Sequence, residues 1–392
     1  MSKKLLKSFL IACLSVTSLF ATNCSRPTAL EPSLNAEVKS LALMVVPNKN
    51  RIDVLDMLTN RVTSTLKTDE RPSNIAVSND RRMILVTNKN SGTISVYLRR
   101  DNDDFVKLNS VGQGLLPVGV VFNPNPQISE AYVAYEGDSK VLVLDTRDRN
   151  SSPKIIRSIP LPDSRPKNIV VSNDGTRIFV TDSQNDRVIT LQKSGVNFTL
   201  NFSQPFDQNR ANVDLEGMIV VPSGPNIQPG QQDPNERLFI ANGARSEVYV
   251  FNTRTNSVSQ VIPLQDNQVV GQNQVAPKNL TLYKDRVTGN QKVYVTGYSA
   301  SVVSVIDPVG NRLLRNIPLA QNAAGRESYN PVGIGVGTLA SGQDVIYVTN
   351  TSGLNISLID PRTDTLLRSF GTTASGGAQD PLGEMITIGP VK

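Results

Sequence analysis

Three charged residues recur at matching places in a repeated phrase and are the first candidates for chemistry. Lys167 and Lys278 each follow a proline in the near-copies Pro166-Lys167-Asn168-Ile169 and Pro277-Lys278-Asn279-Leu280, and Glu216 holds the same place in Leu215-Glu216-Gly217-Met218. Two ammonium groups and a carboxylate brought together could fix an anionic ligand. Glu216 with Glu384 and Asp182 could instead supply oxygen donors to a metal ion. Residue types exclude much else. The 392-residue chain has no His, which removes Ser-His-Asp, Cys-His, haem-His and zinc-His sites. Its only cysteines, Cys13 and Cys24, precede the body of the chain, so that body has neither thiolate nor disulfide chemistry. The sequence assigns no catalytic residue, calls for no cofactor and leaves the metal unknown.

The elements that must position these residues come from a repeat of roughly 45–60 residues, a period typical of propellers and solenoids. Near-copies of one opening phrase begin at Pro72, Pro117, Pro166, Pro277 and Pro331, with the degenerate copy at Leu215. Each leads into an apolar strand, a polar turn and a second strand such as Tyr294-Val295-Thr296-Gly297 or Tyr347-Val348-Thr349-Asn350. A third strand follows, as in Val302 to Asp307, and then a more variable fourth, as in Arg312 to Ile317. Four antiparallel strands per repeat make a propeller blade. The composition agrees: 24 Pro, 26 Gly and a text dense in Val, Ile, Thr, Asn and Ser favour short strands and turns.

This pattern resembles the YVTN β-propeller repeat family, whose signature Tyr347 to Asn350 spell letter for letter. The resemblance covers about Leu41 to the C-terminus and implies an architecture found in surface-layer and periplasmic proteins, with lactonase-like relatives. The stretch Leu41 to Leu66 lacks an opening phrase, and the missing phrase appears at Pro381-Leu382-Gly383-Glu384. The expected fold is therefore all-β: a seven-bladed propeller of four-stranded antiparallel blades whose N- and C-terminal strands share one blade, over residues 41–392. Closure removes the open edges that such an array would otherwise present.

Strand order puts the fourth-to-first and second-to-third connections on one face, called top here. The residue after each opening proline should point to the upper channel mouth, giving Ser73, Val118, Lys167, Glu216, Lys278, Val332 and Leu382. A ligand or partner is expected on the top face over the fifth to seventh blades, where Glu216, Arg245, Lys278, Tyr298, Arg326 and Tyr329 map. Asp145, Asp307 and Asp360 read as bottom turn formers, with Asn252 a weakening departure, and Asn88, Asp182, Asn242 and Asn350 as formers of top turns. The segment from Pro222 to Glu236 reads as a mobile bottom insertion.

Residues 1–23 read as an export signal, with Lys3, Lys4 and Lys7 before an apolar stretch, and residues 24–40 as a polar tether. Cys24 is the expected lipid anchor, preceded by text that resembles a lipobox; cleavage after Ala21 to give a secreted protein is the alternative. Losing the three leader lysines halves the formal charge of +6, and no cationic run marks a nucleic-acid surface. The expectation is a monomeric, lipid-anchored binding scaffold of the bacterial envelope, on the outer-membrane or periplasmic side, whose partner is a protein or a small molecule. A metal-dependent lactonase-like or esterase-like hydrolase and a structural subunit of an envelope complex are the alternatives. The acidic phrase Asp214-Leu215-Glu216-Gly217 resembles one found in propeller hydrolases.

Overall fold

The computed structural model describes residues 40–206, 213–266, 274–319, 329–339, 341–371 and 380–389. Seven four-stranded antiparallel sheets form the blades of a β-propeller. The innermost strands of blades two to seven are Pro72–Val77, Pro117–Phe122, Pro166–Val171, Leu215–Val221, Pro277–Lys284 and Pro331–Thr338. Blade one takes its innermost strand, Met385–Ile388, from the C-terminus; this strand pairs with Leu41–Val46 from Leu41↔Ile388 to Met44↔Met385. Each innermost strand packs beside the next, and Met385–Ile388 closes the circle against both Pro331–Thr338 and Pro72–Val77.

The signature phrase explains itself residue by residue. Second strands such as Asp344–Asn350 are buried along their whole length because neighbouring blades cover both faces, whereas outer strands such as Arg61–Lys67 are mostly exposed. Tyr347 is fully buried, and its hydroxyl donates to Met57 O and Asn60 Oδ1, both at 3.3 Å, at the third-to-fourth turn of blade one. Tyr294 makes the equivalent tie to Asp364 of blade seven at 2.5 Å. Burial and that neighbouring carboxylate hold the Tyr294 hydroxyl far above its ordinary pKa, so it acts as a fixed donor. Thr349 Oγ1 accepts from Gly333 N at 2.9 Å and donates to Gly383 O at 2.6 Å, joining blade seven to blade one through the channel wall. Asn350, expected as a turn former, is fully buried and donates to Asn355 Oδ1 at 2.6 Å and Ser357 Oγ at 2.8 Å.

Three further expectations meet the structure here. Asp307 and Asp360 accept backbone N–H groups two residues on, as Asx turns require. Asn252 does the same for Arg254 N at 2.9 Å and Thr255 N at 3.1 Å, so its replacement of Asp leaves the turn intact. The segment Pro222 to Glu236 is hydrogen-bonded onto blade four rather than loose. Asn173 Nδ2 donates to Gln231 O at 2.9 Å, Arg177 pairs with Glu236 at 2.6 Å, and Asp233 accepts from Ser223 N and Oγ at 2.6 Å each.

Candidate functional site

The charged residues after the opening phrases do converge, and backbone clamps place them. In blade five Asn242 Oδ1 accepts from Asp214 N at 3.0 Å, while Gly243 N donates to Asp214 O at 2.8 Å. These bonds hold Asp214 and Glu216 at the rim of the channel. A Cβ at Gly243 would stand 3.1 Å from Glu216 Cγ, so the glycine leaves room for that side chain. Glu216 lies between two ammonium groups: Lys167 Nζ is 3.1 Å from its Oε1, and Lys278 pairs with the same oxygen. Lys167 also reaches Asp214 Oδ1 at 2.6 Å. The result is a chain of alternating charge, Asp214, Lys167, Glu216, Lys278, spanning blades four to six.

Electrostatics follow from this alternation. Burial would lower the Lys167 pKa, but Glu216 and Asp214 outweigh it and leave it raised. Burial would raise Asp214, yet the hydrogen bond and charge of Lys167 bring it below the ordinary carboxylate value. Both groups are thus held ionised around neutrality. Lys278 Nζ also lies 5.9 Å from the centre of the Tyr298 ring, which brings that expected contact residue to the cluster.

The other expected residues separate. Tyr329 packs its ring over Gly353 of blade seven, where a Cβ would meet Tyr329 Cδ1 at 2.8 Å. Arg245 lies in the turn after the second strand of blade five, where its N–H donates to Asn242 O at 3.3 Å. Asp182 does not join the acidic set: it is fully buried, pairs with Arg187 at 2.9 Å and accepts from Arg165 N at 2.9 Å. Arg326 and Cys24 lie outside the described residues.

Leu382 is a correction. It was expected at the channel mouth, but it is 1% exposed and packs in the apolar cluster with Ala42 and Met44. Its place is that of the buried opening prolines, one residue later than Pro381 suggests. Gly383 consequently takes the mouth position: its carbonyl receives Thr349 Oγ1, as Val332 O receives Thr296 Oγ1 at 3.1 Å in the preceding blade.

That shift reveals a second ring which sequence reasoning missed. Below the mouth residues stand Asn74, Gly119, Asn168, Gly217, Asn279, Gly333 and Glu384; regular pairing resumes at the next residue in five blades, as at Leu280↔Val295 and Met385↔Met44, and at Asn74↔Thr87 and Gly119↔Ala134 themselves in the other two. Three amides and three glycines surround one carboxylate. A Cβ at Gly333 would meet Gly383 O, Met385 N and Thr349 Oγ1 at 2.7 Å each, so only glycine fits between Asn279 and Glu384. Across that gap Asn279 Nδ2 donates to Glu384 Oε1 at 2.7 Å and to Val332 O at 3.1 Å. Burial in the ring, reinforced by the Glu216 charge, pushes the Glu384 carboxyl up to about 7, against the pull of Asn279 and Lys278. The signal was present in sequence: Leu382-Gly383-Glu384-Met385 aligns with Leu215-Glu216-Gly217-Met218 once the buried leucines are matched.

Known structures share the architecture. The chain is similar to the periplasmic gluconolactonase of Pseudomonas aeruginosa, with a TM-score of 0.66, 13% identity and coverage of 89% of this chain and 99% of that one. It is similar to a protein from Lactobacillus plantarum, with TM-score 0.63, 14% identity and coverage of 89% and 99%. Apo AztD from Citrobacter koseri gives 0.59 at 12% identity, covering 90% and 98%. At these identities the likeness defines one thing, a seven-bladed β-propeller. No protein-family model and no curated protein matches the chain, so the resemblance to YVTN repeats is one of repeat phrases alone and membership of that family is not shown.

Proposed function

We propose that this chain is an exported, lipid-anchored propeller that binds a small polar ligand at the upper mouth of its channel, without turning it over. One observation carries the reading: Asp214 and Glu216, the acids best placed to ligate a metal at the mouth, are paired with Lys167 and Lys278. Lysines in those places compete with a cation for the carboxylate oxygens and offer ammonium donors to a ligand. A thermal-shift screen of small carboxylates, sugar acids and amino acids tests this. A hit whose affinity falls at least 100-fold, about 3 kcal/mol, in Lys167→Glu/Lys278→Glu supports the reading, whereas an unchanged affinity removes the ligand from the mouth.

A hydrolase is the second reading, favoured by Glu384, whose carboxyl at about 7 has the proton affinity of a general acid or base. Hydrolysis of gluconolactone by the protein, abolished in Glu384→Gln, would replace the binding reading. Export and anchoring are supported by the charged and apolar leader, and no helix among the described residues is long and apolar enough to cross a membrane. Cys24→Ala should therefore move the protein from the membrane fraction to the soluble one; retention in the membrane fraction would contradict the lipid anchor.

A further inference from the structure

We propose that the lower ring of the channel is a cation subsite, in which Glu384 receives a protonated primary amine of the ligand. The inference deepens the channel-mouth reading and rests on it. Glu384 is half-buried, with Oε1 bonded to Asn279. Among the described residues no lysine or arginine pairs with it, and Oε2 has no protein partner although it is not sealed from solvent. Lys278, the nearby cation, is committed to Glu216. A carboxylate in this position has a desolvation cost that the pull of Lys278 offsets only in part. It can take up a proton, or it can take up a cation that brings its own charge.

The surroundings favour a monovalent ammonium group. One carboxylate with no cation in contact among the described residues matches one positive charge. One hydrogen-bond acceptor nearby has capacity to spare: Gly383 O accepts from Thr349 Oγ1 and keeps a second lone pair, whereas Val332 O already accepts from both Thr296 and Asn279. A dication would need several further oxygen ligands, and the carboxylates at the mouth are already held by lysines. With an ammonium at Glu384 and an acidic group of the ligand at Lys167 or Lys278, the two rings together would read a zwitterion. The proton held by Glu384 would leave to solvent as the ammonium binds, leaving the local charge unchanged.

The test is a carboxyl NMR titration of protein labelled with 13C at its glutamate side chains, with the Glu384 resonance assigned through Glu384→Gln. It is run in sodium chloride, n-butylammonium chloride, tetramethylammonium chloride and calcium chloride at equal ionic strength. Butylammonium should lower the Glu384 midpoint by a unit or more relative to sodium, and tetramethylammonium, which has no N–H donor, should leave it unchanged. Equal midpoints in the sodium and butylammonium salts would overturn the proposal, as would a shift produced by calcium alone. A protein that binds a ligand through Lys167 and Lys278 yet shows no butylammonium effect would refute this subsite and leave the mouth reading standing.

Discussion

Asp214 in the upper mouth and Glu384 in the ring beneath it are carboxylates of one channel, and their proton affinities move in opposite directions. Burial pushes both upward. Asp214 has Lys167 at 2.6 Å, and that contact reverses the shift. Glu384 has only a neutral amide donor at 2.7 Å, and the nearby Glu216 charge adds to its burial. The comparison teaches that an opposite charge in contact, more than depth in the fold, decides whether a channel carboxylate stays ionised. The upper mouth is electrostatically complete in itself, whereas the lower ring holds an acid whose charge depends on pH and on what enters.

The largest expected effect breaks the scaffold that both rings share. Deleting residues 380–392 removes Leu382, Met385 and Ile388 from the apolar clusters of blade one and leaves Leu41–Val46 with an unpaired edge. Losing buried side chains of this size costs roughly 2–5 kcal/mol each, a sum comparable with the whole stability of a typical domain. A truncated protein that melts like the full chain would contradict closure through the C-terminal strand.

A smaller effect separates the rings by pH. Because the folded pKa of Glu384, about 7, exceeds its ordinary 4.5, the proton it holds stabilises the fold fully below 4.5, and that contribution is lost as pH rises through 7. Between pH 4 and pH 8 the wild type should lose about 3 kcal/mol more stability than Glu384→Gln, by the linkage between pKa shift and free energy. Urea denaturation of both proteins at the two pH values checks this, and parallel pH profiles would refute it.

Much of this was legible in the sequence because repetition exposes register. Tyr347, Thr349 and the opening prolines sit where four-strand blades require them, and the convergence of Lys167, Glu216 and Lys278 followed from matching their phrases. The failures share a physical cause. Pro381 imitates an opening proline one residue early, so Leu382 was placed in the channel although its side chain is core and Glu384 takes the ring position. Asp182 forms the turn its place suggests, accepting from Gln184 N at 3.1 Å, but the full burial of Asp182 and Asn350 was not visible, because strand ends and turns use the same polar types. Their burial depends on neighbouring strands that local text does not specify. Tyr329 and Arg245 share a face with the cluster, but strand order gives the face of a residue and not the direction of its side chain.

The most direct test of the account is the carboxyl titration of Asp214 and Glu384 in the same ligand-free protein, labelled with 13C at aspartate and glutamate side chains. The account predicts that Asp214 titrates below the ordinary aspartate value of 3.8 and Glu384 near 7. Two midpoints near 4, with no separation between the rings, would contradict it.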